Sequence, residues 1–498
     1  MRYSDVPRSF NIASYFLDRN EGSRTALVTS AGRTSYAELT SLANRMANAL
    51  LELGVRQGDR VLIALNDGVE FVAAWYGAQK IGAVTAEVYT YLQVKDYQYF
   101  VDYVAPAAVL ADATTAGKLR SAGARNLVVV GDKSFSALLD RQSAALEAAP
   151  TTKDDVAIWK FTTGSTGAPK ACVLAARSPL LSFDWYARGI LDIRADDVVL
   201  PVPKLFFGYA RDLTTLFPFG VGAAGIVFPE RSTVEKLFEL IALHRPTILV
   251  NVPTMMSAMV ASPEASKQDF SSLRLCTSAG EALPAELYRR WMDTFGVEVV
   301  DGIGSSEAYH IYLSNRPGQS REGSLGQVVP GYRAQVVDLD GVPVADGEVG
   351  RLEITGETVA LEYWQAPSKS AETFPREHTV RSGDLVTRDA DGFFYYQGRA
   401  DDLLKVGGVW VAPAEIENCL MAHQAVVECA VVGYEEDGLT RPRAFVVTAS
   451  EATAAELQDF VRSRLTPHKY PRDVRFVDSL PKTASGKLDR RALKGETQ

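Results

Sequence analysis

Along the first half of the chain the apolar positions switch between two periods. Leu39, Leu42, Met46, Leu50 and Leu53 recur at helical spacing behind Ser35-x-x-Glu38, a capping box, and Gly54 stops that helix. Arg60-Val-Leu-Ile-Ala-Leu65 then reads as a buried strand, apolar without a break from Val61. A second apolar helix is expected over about 71–81, ending at Gly82, with another strand starting at Ala83. Short apolar strands follow at 127–130, 198–202 and 247–252, separated by helical patterns, and Ser232-x-x-Glu235 is expected to cap the helix before the last of them. Helices alternating with short β-branched runs predict parallel sheets covered on both faces. From Gly323 the pattern turns to Gly- and Val-rich segments with turns at Asp340-Gly341, Asp346-Gly347 and Asp391-Gly392, which predicts antiparallel hairpins. Beyond Gly398-Arg-Ala-Asp-Asp402 a smaller α+β unit of about a hundred residues is expected.

Length and composition narrow this picture. A chain of 498 residues exceeds one compact core, so at least two domains are expected. With 47% hydrophobic and 23% charged residues it is a folded protein rather than a disordered one. The net charge of −9 argues against a dedicated nucleic-acid binder but leaves nucleotides open, since they need only a local positive site. Four scattered cysteines and five unclustered histidines give no metal or redox spacing and suit a reducing, cytoplasmic setting. The first residues carry no apolar signal-peptide core, and no run approaches the ~18 apolar residues of a membrane span, so neither membrane nor nucleic-acid partners are expected.

The candidate chemistry starts at Phe161-Thr-Thr-Gly-Ser-Thr-Gly-Ala-Pro-Lys170. Glycines let successive backbone N–H groups face one concavity, hydroxyls add donors, and Lys170 adds a charge; the fitting ligand is a polyphosphate. It is not a Walker loop, because Lys170 stands three residues beyond Gly167 and Ala171 replaces the magnesium-binding hydroxyl. Asp301-Gly-Ile-Gly-Ser-Ser-Glu307 follows an apolar strand at 297–300 and sets a hydroxyl beside a carboxylate, which can hold Mg²⁺ and phosphate oxygens together. Arg381-Ser-Gly-Asp384 with Gly398-Arg399 offers a carboxylate and a donor for a ribose diol. Pro481-Lys-Thr-Ala-Ser-Gly-Lys487 places two lysines among small residues in a locally basic tail.

In order, residues 162–170, Ser278-Ala-Gly-Glu281, 302–307, Ser382-Gly-Asp384, 398–405 and 481–487 resemble the motif series of acyl-adenylate-forming enzymes over nearly the whole chain. Within that superfamily, Lys204-Leu-Phe-Phe-Gly-Tyr209, Ser278-Ala-Gly-Glu-Ala-Leu-Pro284 and residues 301–315 look most like benzoate–CoA ligases. The resemblance implies an α/β fold: a large N-terminal domain, 1–398, of two αβ subdomains plus a distorted β-barrel, and a small mobile α+β domain, 399–498. It implies an ATP- and Mg²⁺-dependent ligase that makes an acyl-AMP and then passes the acyl group to coenzyme A. Loading a separate carrier-protein thiol, or a non-catalytic nucleotide sensor, are the alternatives; monomer and homodimer are both compatible.

The same resemblance assigns site residues. Thr162, Thr163, Gly164, Ser165, Thr166, Gly167 and Lys170 would hold the β,γ-phosphates, Ser306 the α-phosphate, and Glu307 the metal. Ala279, Gly280 and Glu281 with Asp301, Gly302 and Ile303 would frame the adenine, and Asp384 and Arg399 the ribose. Lys487 would bridge carboxylate and α-phosphate, Asp401 would be the hinge, and Val406, Gly407 and Gly408 would line the CoA tunnel. Phe207, Gly208, Tyr209, Ala210, Gly304 and His310, with Gly302 and Ile303, would form the acyl pocket for an aryl or other cyclic carboxylic acid. Gly208 stands where those enzymes usually carry Ala, which suggests a wider or reshaped cavity, and Ala86-Glu-Val-Tyr-Thr-Tyr91 replaces a proline-bearing stretch. Ala171-Cys-Val-Leu-Ala-Ala176 likewise lacks the family's Gly and His-rich tail.

Overall fold

The computed structural model describes residues 1–162, 168–406, 409–436, 439–482 and 488–495. Among these, two large sheets dominate. One has seven strands in the order Glu362–Tyr363, Lys170–Ala175, Val156–Thr162, Val84–Glu87, Arg60–Ala64, Ala108–Ala111, Leu127–Val129. The other has nine: Gln327–Val328, Ile311–Ser314, Val299–Gly304, Leu275–Ser278, Ile248–Asn251, Val198–Pro201, Ala224–Ile226, Thr25–Thr29, Gly32–Ser35. The central strands pair in parallel, and antiparallel pairs close three of the four edges; Leu127–Val129 ends the seven-stranded sheet in parallel. Strands such as Arg60–Ala64 are buried on both faces, which is why they read as continuous apolar runs rather than alternating ones.

The local signals act as the sequence implies, with two revisions. Helix Tyr36–Glu52 starts at Ser35, whose Oγ accepts from Glu38 N (3.2 Å) while Glu38 Oε2 accepts from Ser35 N (2.7 Å). That helix packs on Val69–Lys80 closely enough that a Cβ on Gly77 would lie 2.9 Å from Ala43 O. Helix Val234–His244, however, is capped by Thr233, whose Oγ1 accepts from Lys236 N; Ser232 instead donates to Val202 O (2.6 Å) and ties the loop to a strand. Ser232 is thus drawn off by a tertiary acceptor, and the next hydroxyl takes the cap. The strand expected at 297–300 runs instead over Val299–Gly304, because it exchanges its parallel neighbour for an antiparallel one partway along.

A four-stranded antiparallel sheet (Arg333–Val337, Gly350–Thr355, Thr379–Arg388, Phe394–Arg399) stands in the place expected for the barrel-like piece, and its described ladders form an open order. The Asp391-Gly392 turn joins its last two strands. Leu352, Ile354 and Val386 of this sheet share one apolar core with residues of both large sheets. Beyond it, the hairpin Leu404–Val406/Val409–Val411, helices Pro413–Met421 and Ala454–Arg462, and the sheet Val426–Glu436, Leu439–Thr448, Asp473–Phe476 pack around a separate cluster from Leu404 to Val461.

The capping box at the start of Tyr36–Glu52 carries a measurable share of stability. Ser35→Ala should cost about 1 kcal/mol, read as an earlier first urea transition; an unmoved transition would show the cap to be idle.

Candidate active site

Three strands of the nine-stranded sheet end side by side. Asn251 pairs with Ser278, and Ser278 with Asp301, so their carboxyl-terminal loops open into one crevice, the usual ligand position in parallel α/β sheets. Gly280 turns the loop after Ser278 with φ +90°, and its open side faces the Phe207 ring 4.0 Å from where a Cβ would stand. Ala279 beside it is buried. Glu281 sends its carboxylate to the start of helix Pro253–Ala261, accepting from Thr254 N (3.0 Å) and Thr254 Oγ1 (2.7 Å). Asp301 is buried, and burial pushes its carboxyl up to about 8, against smaller opposing effects of Ser278 and the Gly302 backbone.

Strand Val299–Gly304 has no room for side chains at its glycines. A Cβ on Gly302 would lie 2.6 Å from Leu313 O, and one on Gly304 2.4 Å from His310 O, so both glycines are dictated by the partner strand Ile311–Ser314. Ile303 between them is half-buried against the main core. The chain reverses through a one-turn helix, Ser306–Ala308, and Tyr309 takes φ 74°, rare outside glycine. This reversal sets Glu307 against the hairpin of Val156–Thr162 and Lys170–Ala175: Tyr363 Oη donates to Glu307 Oε1 (2.6 Å), and Ala360 N donates to Glu307 O (2.7 Å). Tyr363 itself pairs with Cys172 in strand Lys170–Ala175, and burial followed by the nearby Glu307 charge raises the Cys172 thiol.

On the same hairpin Thr162 and Lys170 stand opposite one another, and Tyr99 Oη fixes the exit by donating to Pro169 O (2.6 Å). Thr163, Gly164, Ser165, Thr166 and Gly167 lie outside the described residues, as do Gly407, Gly408 and Lys487. No three His, Cys, Asp or Glu side chains cluster as a metal cage among the described residues. One carboxylate, Glu307, beside the hairpin expected to bind phosphate nevertheless fits Mg²⁺, which is held by one or two carboxylates plus substrate phosphates.

Asp384 and Arg399 face each other across adjacent strands, with Arg399 Nη1 donating to Asp384 Oδ1 (3.1 Å) and Ser382 Oγ to Asp384 Oδ2 (3.0 Å). Burial disfavours the Arg399 charge, but Asp384, Tyr396, Asp401 and Glu307 outweigh it and raise its pKa. Tyr312 is raised by burial first and then by Asp384 and Glu307, so the two carboxylates act on one buried phenol. Asp401 lies in the turn Ala400–Asp402, between strand Phe394–Arg399 and the hairpin that carries buried Val406. Arg490 grips Glu417 through two contacts (2.6 and 2.9 Å) and lies 3.7 Å from Asp402.

The expected acyl pocket comes together around the short helix Gly208–Arg211. Tyr209 Oη shares a hydrogen bond with Thr277 Oγ1 (2.7 Å), Ala210 is fully buried, and Phe207 packs against Tyr209. His310 lies among Tyr186, Tyr209 and Phe217, ring centroids 5.4, 5.8 and 4.9 Å away. Burial, opposed by Asp212 and reinforced by Lys160, pushes His310 down to about 3, so it is a neutral imidazole. Gly208 does not widen this pocket. The space a Cβ would fill is taken by Lys160, with Cε 2.6 Å and Nζ 2.7 Å from that point.

Lys160, Glu87, Arg211 and Asp212 were not among the sequence-derived site residues. Lys160 Nζ pairs with Asp212 Oδ2 (2.7 Å), Arg211 Nη2 with Asp212 Oδ1 (2.8 Å) and Arg211 Nη1 with Glu87 Oε1 (2.8 Å), all buried. Trp75 Nε1 also donates to Glu87. The signal was present: a lysine inside the apolar run Val156-Ala-Ile-Trp-Lys160 and an Arg-Asp pair after Gly-Tyr-Ala are misplaced unless they pair.

A family model described as AMP-binding enzyme matches residues 17–364, and one described as AMP-binding enzyme C-terminal domain matches 415–487. The chain is 42% identical to the benzoate–CoA ligase of Thauera aromatica, over 98% of this chain and 96% of that one. It is 38% identical to the 4-hydroxybenzoate–CoA/benzoate–CoA ligase of Rhodopseudomonas palustris, over 98% and 95%. The crystal structure of the anthranilate CoA ligase AuaEII in complex with anthranoyl-AMP superposes with a TM-score of 0.96 at 35% identity, covering 100% of this chain and 99% of that one. A benzoate CoA ligase from Burkholderia xenovorans LB400 gives 0.91 at 40% identity, covering 97% and 100%.

The raised Asp301 carboxyl makes stability depend on pH. The folded state keeps a proton that the unfolded chain releases, so stability is lost as pH rises from the ordinary 3.8 to about 8. Asp301→Asn should flatten this part of the Tm–pH profile of the ligand-free protein. Parallel profiles for the two proteins would mean that Asp301 is ionised in the fold.

Proposed function

The chain belongs to the AMP-binding enzyme family, and on that premise we propose that it is an ATP-dependent aryl acid–CoA ligase working through an acyl-AMP. The observation that carries this reading is the gathering of Glu307, the Thr162/Lys170 hairpin mouth and the Asp384–Arg399 pair on one crevice, beside an aromatic pocket. That is a place for a triphosphate, a ribose and a ring.

Adenylation joins two anions, so the site must neutralise developing charge with oriented donors. Residues 162–166 and Lys170 hold the β,γ-phosphates, and Ser306 contacts the α-phosphate. Asp384 and Arg399 take the ribose, while Ala279, Gly280 and Glu281 with Asp301 to Ile303 frame the adenine. The substrate carboxylate oxygen bonds to the α-phosphorus as the bond to pyrophosphate breaks. Glu307 would hold the Mg²⁺ that screens the phosphate charge when bound. Lys487 bridges the two reacting groups in this half-reaction alone. The chain pivots at Asp401, between residues 1–398 and 399–498, and Val406 to Gly408 approach the thiol. The thiol sulfur then bonds to the acyl carbon, loses its proton, and AMP departs. The four free cysteines suit a cytoplasmic location.

A panel of aryl, alicyclic and fatty acids, each with ATP and with or without CoA, tests this by pyrophosphate release. Aryl acids should release pyrophosphate, and CoA should then appear as a thioester. Silence with every acid would favour a nucleotide sensor, and thioester formation only on a carrier protein would move the acceptor from CoA. Lys487→Ala should abolish acyl-AMP formation while sparing thioester synthesis from supplied acyl-AMP; equal losses in both assays count against the two-position scheme. Asp401→Pro should do the opposite, since proline fixes φ at the pivot.

A further inference from the structure

Two departures from the benzoate–CoA ligase pattern, Glu87 and Gly208, meet in one place. Glu87 anchors Arg211, Arg211 and Lys160 share Asp212, and Lys160 fills the space that a side chain at 208 would occupy. Where a methyl group would face the ring pocket, this chain has the end of a lysine. An ammonium has three protons. Asp212 Oδ2 and Tyr309 O take two of them, each at 2.7 Å, leaving the third to the Tyr309 ring face or to an acyl group lying over Gly208.

A second observation points to a ligand at the same wall. His310 is 3% exposed, and neither ring nitrogen meets a partner in hydrogen-bond geometry. The Tyr209 backbone comes near enough only to favour the protonated ring weakly. A buried polar group without a partner is destabilising, and a suitable substrate removes that cost. Neutral imidazole presents one donor and one acceptor.

We propose that Lys160 and His310 form a specificity subsite for a hydroxyl group on the ring of the acyl substrate. This deepens the ligase reading and rests on it. A hydroxyl accepts from the Lys160 ammonium and donates to the unprotonated His310 nitrogen, whereas an aryl amine is a poor acceptor and a hydrogen atom is neither. A second carboxylate fits less well. Glu87, Asp212, Lys160 and Arg211 already sum to zero charge, so another buried anion would have no counterpart.

The test is pyrophosphate release by the full-length protein with benzoate, 3- and 4-hydroxybenzoate, 3- and 4-aminobenzoate and a benzene dicarboxylate. One hydroxybenzoate should exceed benzoate at least about tenfold in kcat/KM, mostly through KM. In Lys160→Met/Gly208→Ala, which restores a methyl at this wall, that ratio should fall to within about threefold of unity. His310→Phe keeps every charge of the cluster and should lower the same ratio, so a double variant that fails to fold leaves the question decidable. Equal use of benzoate and hydroxybenzoates by the parent protein, or a ratio unmoved by both variants, overturns the subsite. Those results leave the ligase reading standing; failure of every aryl acid overturns both.

Discussion

The site depends on one shared strand. Val299–Gly304 pairs in parallel with Leu275–Ser278 over its first half and antiparallel with Ile311–Ser314 over its second. The second pairing is close enough that neither Gly302 nor Gly304 could carry a Cβ. The first half therefore delivers Asp301 beside Ser278 at the crevice. The second returns the chain so that Glu307 lands on Tyr363, beside the hairpin of Val156–Thr162 and Lys170–Ala175. A side chain at either glycine would part the strands and move Asp301, Glu307 and His310 together.

Charge then organises what the strand positions. Glu307 is held by a phenol, Asp384 by an arginine and a hydroxyl, and each touches the electrostatic environment of buried Tyr312. None of these contacts neutralises the crevice completely. That suits a ligand bringing phosphates with a divalent cation, whose own charges complete the balance. The neighbouring aromatic pocket is different: its charges cancel internally before any ligand arrives.

Much of this was legible in the sequence, for physical reasons. The parallel strands announce themselves because burial on both faces leaves no polar alternation, and the Ser35 cap because its partner lies three residues away. The Ser232 cap misled because local spacing cannot register the Val202 carbonyl that captures its hydroxyl. The site motifs were recognisable through their glycines and hydroxyls, but the close strand pairing that also requires glycine at 302 and 304 cannot be read from local spacing. The quartet of Glu87, Lys160, Arg211 and Asp212 escaped because its members come from three distant segments, each odd alone and coherent only in space. Gly208, taken by itself, left a wider and a reshaped cavity both open; Lys160 decides for the second.

A closed set of four charges also limits how such a pocket can be altered, by selection or by an engineer. Deleting one member of a buried, mutually paired group strands its partner in a low-dielectric interior, at a cost of about 3–5 kcal/mol, a large share of an ordinary domain's stability. Substrate range here is consequently not free to drift one residue at a time. Changes at Lys160 and Asp212, or at Glu87 and Arg211, are tolerable chiefly in pairs, so the recognition wall is inherited as a block.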